Sequence, residues 1–270
     1  MNQISQTDNK LLETSSASAV SNWDDLLDLQ VRAFSSHEME FLSNWPKWNN
    51  IESVIDIGCG NGSYLSKLSS LYPEKSYSGL DISKELITLA KERNKDLEFV
   101  WGDFFSFYKG KKYDLIIMRF IVQHLKNFPA VLSRAETMLN PGGSILIVEP
   151  DFKNSKNSPD TPLLKSLLNA YGEFTLSDGQ ARMHMDSLSD LIPINNKWNA
   201  IKHENISIIN SSPFMSNDVV KMYRLWVNLI EGSGLMKQPF STIRNEIEEW
   251  AGDQSALSAI QLHVYEIQKT

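Results

Sequence analysis

The sequence predicts an α/β fold built on a mostly parallel, doubly wound sheet. Short β-branched apolar runs alternate with amphipathic stretches of helical length between residues 51 and 150. The run from Tyr113 to Met118 is unbroken, as a central parallel strand buried on both faces requires. The first such run ends in an acid and then breaks into glycines, which is typical of a buried strand that turns sharply into a helix beside a ligand.

Length and composition limit the kind of protein this can be. The chain has 270 residues, 41% of them hydrophobic, so we expect one domain with additions and a substantial core. The formal net charge is −7 and no run of five basic residues occurs, which argues against a nucleic-acid partner. A single cysteine, Cys59, excludes an internal disulfide and a multi-cysteine zinc site.

The distribution of apolar residues predicts where in the cell the protein is found. No apolar run approaches the roughly 18 to 20 residues that a membrane-spanning helix needs. Residues 1–20 are polar, contain no hydrophobic signal-peptide core and are expected to form a flexible N-terminus. We therefore expect a soluble, cytoplasmic protein without a membrane partner. The oligomeric state stays open, with a homodimer as one option.

The first predicted element is a helical segment at residues 21–50. Ser21 or Asn22 can cap it, and it has an apolar, aromatic face. Alternating or continuous apolar patterns then predict the strands. These strands are Val54–Ile57, Tyr77–Asp81, Leu97–Trp101, Tyr113–Met118, Ser144–Pro150, Ile201–Ile209 and Leu262–Ile267. Caps and helical spacing predict helices after the glycines, at 83–91, 129–139, 161–174, 185–192, 216–231 and 242–250.

Two acids frame the glycine turn. Asp56 precedes Gly58, Gly60 and Gly62, and Asp81 ends the second strand 23 residues after Gly58. An acid at that second place can accept hydrogen bonds from both ribose hydroxyls of a nucleoside. A carboxylate beside the glycines would repel a pyrophosphate but suits an ammonium group, so the pattern favours a nucleoside that carries one.

The pattern Asp-x-Gly-x-Gly-x-Gly resembles motif I of the class I, Rossmann-like S-adenosylmethionine-dependent methyltransferases of small-molecule type. The segment Leu139–Gly143 and the strand after it also resemble that family, and the resemblance covers about residues 51–150. It implies S-adenosyl-L-methionine as cofactor and a seven-stranded sheet whose last two strands pair antiparallel. It also implies that residues 51–270 form the methyltransferase domain, with 21–50 as a helical cover and about 151–199 as a helical lid inserted after strand five.

The resemblance implies a set of cofactor-binding residues. They are Asp56, Gly58, Cys59, Gly60, Gly62, Asp81, Ile82, Asp103, Phe104 and Arg119. In the family the acid corresponding to Asp56 lies near the methionyl amino group, directly or through water, and the one corresponding to Asp103 accepts a hydrogen bond from adenine. Asp103 could instead be a turn residue. Cys59 is interpreted as a small space-filling residue, the alternative being a reactive thiol.

Catalytic residues are harder to identify from the sequence than cofactor-binding residues. A sulfonium methyl group is already a good electrophile, so catalysis needs a nucleophile in line at about 3 Å, exclusion of water and sometimes a base. His124 follows the fourth strand and is either that base or a structural residue. Arg119 could contact the cofactor through its backbone or reach a substrate carboxylate. No obvious acid set for a metal is present, although Asp114 and Asp151 lie at strand ends.

These features favour an enzyme that methylates an oxygen or nitrogen atom of a small-molecule acceptor. The Asn/Asp-Pro-Pro-Tyr/Phe segment of amino-methylating relatives is missing after strand four, where Met118–Ile121 stand instead. Two alternatives remain open: a non-catalytic, cofactor-binding regulatory protein, and a different reaction on the same cofactor fold, including methyl transfer to a protein.

Overall fold

A computed structural model describes residues 17–106, 110–125, 127–177, 198–203, 205–211, 217–231 and 239–269. The predicted flexible N-terminus lies outside these residues up to position 16, and so does the predicted helix at 185–192.

Helices and strands alternate through the first part of the chain and give way to longer antiparallel pairing later. The helices are α1 (Ala17–Asn44), α2 (Ser63–Leu71), α3 (Lys84–Arg93), α4 (Phe128–Met138), α5 (Pro162–Ser177), α6 (Asn217–Ile230) and α7 (Phe240–Gly252), with short 3₁₀ turns at Trp48–Asn50 and Val122–His124. The strands are β1 (Ser53–Ile57), β2 (Ser76–Asp81), β3 (Glu98–Trp101), β4 (Tyr113–Arg119), β5 (Leu139–Pro150), β6 (Lys156–Ser158), β7 (Trp198–Lys202), β8 (Ile206–Ser211) and β9 (Leu257–Lys269).

The sheet has a parallel half in the order β3-β2-β1-β4-β5, and β9 continues it antiparallel beside β5. Alternate residues of β4 feed the two faces of the sheet. Leu115 and Ile117 join the core cluster under α1, α2 and α3, whereas Ile116 and Met118 join the cluster under α4. Helices therefore cover both faces, and the predicted α/β fold with a doubly wound, mostly parallel sheet is confirmed.

The strand count differs from the expected seven. Nine strands are present in the described residues, because the predicted strand Ile201–Ile209 is divided into β7 and β8 and β6 is an addition. The cause is the length of β9, whose 13 residues pair antiparallel with β7 near one end and with β8 near the other. The expected antiparallel pairing of the final strands is present in both contacts.

The N-terminal helix is longer than predicted. It begins at Ala17 rather than at Ser21 and runs as one helix of 28 residues. Its buried residues include Leu26, Gln30, Phe34, Glu38 and Leu42, each four positions after the one before, so one stripe of the helix is turned toward the protein interior. No helix in the described part of the chain is both long and apolar enough to cross a membrane.

Candidate active site

A cavity of about 190 Å³ lies beyond the carboxyl ends of the parallel strands, under α1. In open α/β sheets this edge is where ligands bind. Among the predicted site residues, those that line the cavity are Asp56, Gly58, Cys59, Gly60, Asp81, Ile82, Arg119 and His124. The structure does not bring Gly62, Asp103 and Phe104 into this lining.

The glycine loop is shaped by close contacts on both sides. Gly58 and Gly60 have φ values of 78° and 54°, in the left-handed region that favours glycine. A Cβ on Gly60 would lie 2.5 Å from Cδ1 of Leu27 in α1, and one on Gly58 would lie 2.8 Å from Ile121. The loop is thus held between α1 and the segment after β4, and a larger residue at either position would disturb that fit.

Gly62 and Cys59 of the glycine loop pack closely against neighbouring strands of the protein. Gly62 is the N-cap of α2, and a Cβ there would lie 2.6 Å from the Phe99 ring of β3. Cys59 is buried, with its Sγ 2.7 Å from the place of a Gly79 Cβ. Burial raises the pKa of the Cys59 thiol well above its ordinary value, which agrees with a space-filling role rather than a reactive one.

Asp81 is fixed by backbone donors at the end of β2. Gly60 donates its N–H to Oδ2 and Ser83 donates its N–H to Oδ1, each over 2.8 Å. Burial raises the pKa of Asp81, while these backbone hydrogen bonds act in the opposite direction. Each carboxylate oxygen has two lone pairs, so both can still accept a further hydrogen bond from a ligand hydroxyl.

Asp56 is a buried carboxyl group without a full set of partners. It is 3% exposed, and its Oδ1 has no hydrogen-bond partner among the described residues. Burial raises its pKa to about 8, and Arg119 lowers it less than burial raises it. An unpaired acid in a ligand cavity fits a ligand that brings a positive group.

Arg119 ends β4 and is held from three sides. Its Nε donates to Oε1 of Glu38 over 2.7 Å, and its guanidinium lies 4.7 Å from the Tyr64 ring centre and 4.1 Å from that of Phe120. Glu38 did not emerge from the sequence as a site residue. It lies four residues from the buried Phe34 and Leu42, so an acid on an apolar helix stripe was the signal for it.

Asn61, inside the glycine loop, ties the loop to α1 and was also missed. Its Nδ2 donates to Asp24 Oδ1 over 2.7 Å and to Asp28 Oδ1 over 2.8 Å. Asp24 in turn accepts two hydrogen bonds of 2.6 Å from Arg93 of α3. This polar network, made by Asn61, Asp24, Asp28 and Arg93, fastens the first half of α1 to the glycine loop and to α3.

Glu149 is a third residue that sequence reasoning did not single out. It is 1% exposed, and its Oε1 accepts the N–H of Val122 over 2.6 Å. Burial raises the pKa of Glu149 to about 8, although the backbone hydrogen bonds that it accepts lower the pKa. Glu149 thereby holds the 3₁₀ turn that carries His124. An acid at the end of a buried strand beside the cleft was the available signal.

Aromatic side chains form a large part of the remaining cavity lining. The His124 ring lies 6.5 Å from that of Tyr171 in α5, and Tyr171 lies 5.4 Å from Trp226 in α6. Phe152 packs against Trp226 at 5.2 Å, and Phe34 of α1 packs against Phe120 at 5.9 Å. The wall, formed by Phe34, Phe120, Phe152, Tyr171 and Trp226, therefore comes from α1, the turns after β4 and β5, and helices α5 and α6.

Asp103 and Phe104 lie just beyond β3. Asp103 Oδ1 accepts the N–H of Phe105 over 3.0 Å, as a turn aspartate does, and Phe104 is buried in the cluster under α4. A role for these residues at an adenine ring stays a prediction. Within the described ranges, no group of three His, Cys, Asp or Glu side chains is arranged to hold a metal ion.

Comparison with known proteins agrees with this geometry. A family model described as a methyltransferase domain matches residues 49–205, more than half of the 270-residue chain. The trans-aconitate 2-methyltransferase of Escherichia coli (strain 55989 / EAEC) is 31% identical over 137 residues, which are 49% of this chain and 52% of that protein. The malonyl-[acyl-carrier protein] O-methyltransferase 2 of Ilyobacter polytropus is 27% identical over 137 residues, 43% of this chain and 53% of that protein. The chain spans about half the length of these curated relatives.

Solved structures resemble the chain over nearly its whole length. The plantazolicin methyltransferase BamL, in complex with a triazolic desmethylPZN analog and SAH, has a TM-score of 0.51 and 19% identity, covering 97% of this chain and 94% of that one. The plantazolicin methyltransferase BpumL, in complex with the same type of analog and SAH, has a TM-score of 0.50, 20% identity and the same coverage. At these identities the likeness shows the fold alone. The matched family model and the shared fold place the chain in the methyltransferase domain family, within the class I, S-adenosylmethionine-dependent methyltransferases.

Proposed function

We propose that this protein is an enzyme that transfers a methyl group from S-adenosyl-L-methionine to an oxygen or nitrogen atom of a small-molecule metabolite. The observation that carries this function is one cavity whose lining combines the glycine loop, Asp56 and Asp81 with an aromatic wall. One side of the cavity has the chemistry of a nucleoside site, and the other side can hold an organic acceptor.

The cofactor side fits S-adenosyl-L-methionine in charge and shape. Asp81 offers two oriented oxygens for the ribose hydroxyls, and the glycine loop lets a ligand approach the backbone at Gly58 and Gly60. Asp56 offers an unpaired carboxyl for an ammonium group. Ile82 is 38% exposed at the edge of the cavity and can cover an adenine ring. When bound, the cofactor supplies a methyl group on a sulfonium centre.

The acceptor side favours a flat, partly aromatic molecule. The wall formed by Phe34, Phe120, Phe152, Tyr171 and Trp226 offers ring faces and edges to a second ring. The names of the curated relatives point to trans-aconitate and to malonyl-[acyl-carrier protein] as acceptors of those proteins, and the second name specifies transfer to oxygen. The first name is that of a free small molecule and supports a small-molecule acceptor here.

The chain's own contribution to catalysis is positioning and exclusion of water. The wall and α1 enclose the place where an acceptor must meet the methyl group, and a dry site strengthens every polar contact inside it. His124 lies beside this wall, with its ring 6.5 Å from that of Tyr171, on the turn that Glu149 holds. It can act as a base toward an acceptor hydroxyl or amine, or it can only pack against Tyr171.

A methylation assay with binding measurements tests the function. Wild-type protein, S-adenosyl-L-methionine carrying an isotope-labelled methyl group and a panel of phenols, aromatic amines and trans-aconitate should give a labelled product with at least one acceptor. Calorimetry should show cofactor binding in the micromolar range, roughly −8 kcal/mol. Asp81→Ala should lose about 1.5 to 3 kcal/mol of that binding, the size of a hydrogen bond to a charged group.

Asp96→Asn is the matched control, because Asp96 is exposed and lies outside the cavity. Unchanged cofactor affinity in Asp81→Ala would remove Asp81 from the site. Tight NAD binding by the wild type would contradict the methyltransferase function. Cofactor binding without any methylated product would favour the regulatory alternative. The cytoplasmic location, a homodimer and the absence of nucleic-acid and membrane partners stay predictions.

A further inference from the structure

Three rings of the aromatic wall form a smaller group, the aromatic box, made by Phe152, Tyr171 and Trp226. The ring centres of Tyr171 and Phe152 lie 5.4 and 5.2 Å from that of Trp226, and both rings are inclined by 74° to the indole plane. All three side chains line the cavity. Rings inclined this steeply offer aromatic surface to a compact group from more than one direction, whereas stacking of a flat ring needs a wall parallel to it. The box therefore fits a compact group of the acceptor.

The charges around the cavity favour a positive group in that place. Among the described residues of the lining, the charged side chains are Asp56, Asp81 and Arg119. The charge of Arg119 is balanced by Glu38, whose Oε1 lies 2.7 Å from Nε, and both side chains are buried. The remaining charges are negative, and so are the faces of aromatic rings. A cation in the box is attracted by both, whereas a carboxylate is repelled by both.

We propose that the methyl acceptor is an amine, that the aromatic box binds its nitrogen as an ammonium group, and that this nitrogen receives the methyl group. The inference rests on the proposed function and names the substrate class of the same site. It chooses nitrogen over oxygen as the accepting atom.

The movement of charge during the reaction separates amines from hydroxyl acceptors. The ammonium group first gives a proton to the imidazole of His124, whose ring lies 6.5 Å from that of Tyr171, and this proton later passes to solvent. The lone pair left on nitrogen bonds to the methyl carbon, and the electron pair of the broken carbon–sulfur bond stays on sulfur. Positive charge thus moves from sulfur to nitrogen, where the ring faces stabilise it. A deprotonated hydroxyl ends the reaction uncharged and gains little from the box.

The binding test uses three ligands with the same phenol ring and a different charge at the end of the side chain. Tyramine carries an ammonium group, 4-ethylphenol carries no charge, and 4-hydroxyphenylacetate carries a carboxylate. Calorimetry at pH about 7 on the full-length chain saturated with S-adenosylhomocysteine should show that tyramine binds about 3- to 30-fold more tightly than 4-ethylphenol, the range expected of cation–π contacts. The carboxylate should bind most weakly.

The position of the transferred methyl group is a second measurement, because tyramine has a phenol oxygen and an amine nitrogen in one molecule. With S-adenosyl-L-methionine that carries an isotope-labelled methyl group, the label should appear on the nitrogen. Fragmentation of the product in a mass spectrometer distinguishes the two positions.

Variants of the box connect both results to its rings. Trp226→Leu keeps an apolar side chain but removes the ring, and should abolish most of the preference for tyramine over 4-ethylphenol. The affinity for S-adenosylhomocysteine should stay within about twofold of wild type. Trp226→Phe keeps a ring and should retain the preference, and Phe152→Leu replaces Trp226→Leu if that variant does not fold. Trp101→Leu is the matched control, because Trp101 is 57% exposed and lies outside the cavity lining.

Equal affinities of wild type for tyramine and 4-ethylphenol, tightest binding of 4-hydroxyphenylacetate, or label on the phenol oxygen would overturn the inference and leave the methyltransferase function intact. The same holds if none of the three ligands binds to the complex with S-adenosylhomocysteine. A preference for tyramine that survives both Trp226→Leu and Phe152→Leu would show that the box is not the ammonium site. A wild type that does not bind S-adenosylhomocysteine would instead overturn the proposed function.

Discussion

At the scale of single residues, the most unusual group is the carboxyl of Asp56. Its pKa of about 8 means that it is mostly protonated at neutral pH in the ligand-free protein. Burial is the main cause, and the charged groups that face it are Arg119 of β4, Asp81 of β2 and Glu38 of α1. A bound ammonium group would reverse the balance and lower the pKa, so ligand binding and proton release are coupled at this residue.

This coupling predicts a pH dependence of cofactor affinity. Below pH about 8 Asp56 must lose a proton before it can pair with the ammonium, and above that pH it is already charged. The association constant of S-adenosylhomocysteine should therefore rise by up to about tenfold per pH unit toward pH 8, and it should fall again where the ligand's own ammonium group loses its proton. Calorimetry in buffers of different ionisation enthalpy measures both the affinity and the released proton.

The Asp56→Asn variant is the control, because it has no proton to release and should lose the slope. 5′-Methylthioadenosine, which has no ammonium group, should show no slope with either protein. A flat wild-type profile between pH about 6 and 8, without proton release, would contradict the assignment of Asp56 to the ammonium.

At the scale of elements, α1 decides access to the cavity. Leu27 lies against Gly60, and Asp24 and Asp28 bind Asn61, so this helix closes the cofactor side. The ion pair of Asp24 with Arg93 is partly exposed and can open at modest cost. We propose that α1 and the insertion after β5 form a cover that becomes ordered over bound ligands, as needed for a dry transfer site.

Hydrogen exchange tests this cover. Adding S-adenosylhomocysteine should slow amide exchange in residues 21–46 and in the described part of the insertion, 151–177, because bound ligand stabilises the closed form. Helix α4 packs on the opposite face of the sheet and serves as the internal control, with unchanged exchange. Equal exchange with and without ligand, together with full activity after deletion of residues 1–46, would make the N-terminal part an appendage.

Local sequence patterns were enough to predict most of the helices and strands, and to predict that the glycine turn and the acids Asp56 and Asp81 lie together at one cavity. The strands from β1 to β5 and the Ser83 cap of α3, which accepts the N–H of Leu86 over 3.2 Å, have signals within a few residues. The division of Ile201–Ile209 into two strands depends on their register with β9, which no local pattern contains. Glu38 contacts Arg119 across 81 positions of sequence, so its role becomes visible only when the helix has a place in the fold.

At the scale of the whole molecule, one buried acid joins the end of α1 to the sheet. Glu266 of β9 accepts a hydrogen bond of 3.0 Å from Trp45 Nε1 and one of 3.3 Å from Ser144 Oγ, and it pairs with Lys47. Burial raises the pKa of Glu266, but the His203 ring, whose Nε2 lies 3.4 Å from Oε2, and the hydrogen bonds from Lys47 and Trp45 outweigh burial and bring the value down to about 2. Ionised Glu266 is therefore more stable in the folded protein than in the unfolded chain.

This lowered pKa predicts how the stability changes in acid. The stabilisation from Glu266 is fully present above its unfolded pKa of about 4.5 and is lost as the pH falls from there through about 2. Glu266→Gln should lower the thermal midpoint at pH about 7, by roughly 2 to 4 °C for each kcal/mol lost, and should change it little at pH about 2. Scanning calorimetry across this range gives the comparison.

Glu92→Gln is the control for the loss of one acidic side chain, because Glu92 is exposed on α3. It should leave the midpoint unchanged at both pH values. A Glu266→Gln midpoint that falls by the same amount at both ends of the range would show that packing, rather than charge, is what the variant loses.

The shared strand β9 also has a consequence for the order of folding. It pairs with β5, β6, β7 and β8, all of which precede it in the chain, and Ile145 meets Ile267 only after a loop of more than one hundred residues has closed. Contacts of such long range form slowly, because the chain loses conformational entropy when the loop closes, before the strand pairing contributes any favourable free energy. Until β9 arrives, β5 is an open edge with apolar residues on both faces. That half-built sheet is the species most prone to pair with another chain, so refolding should favour dilute protein.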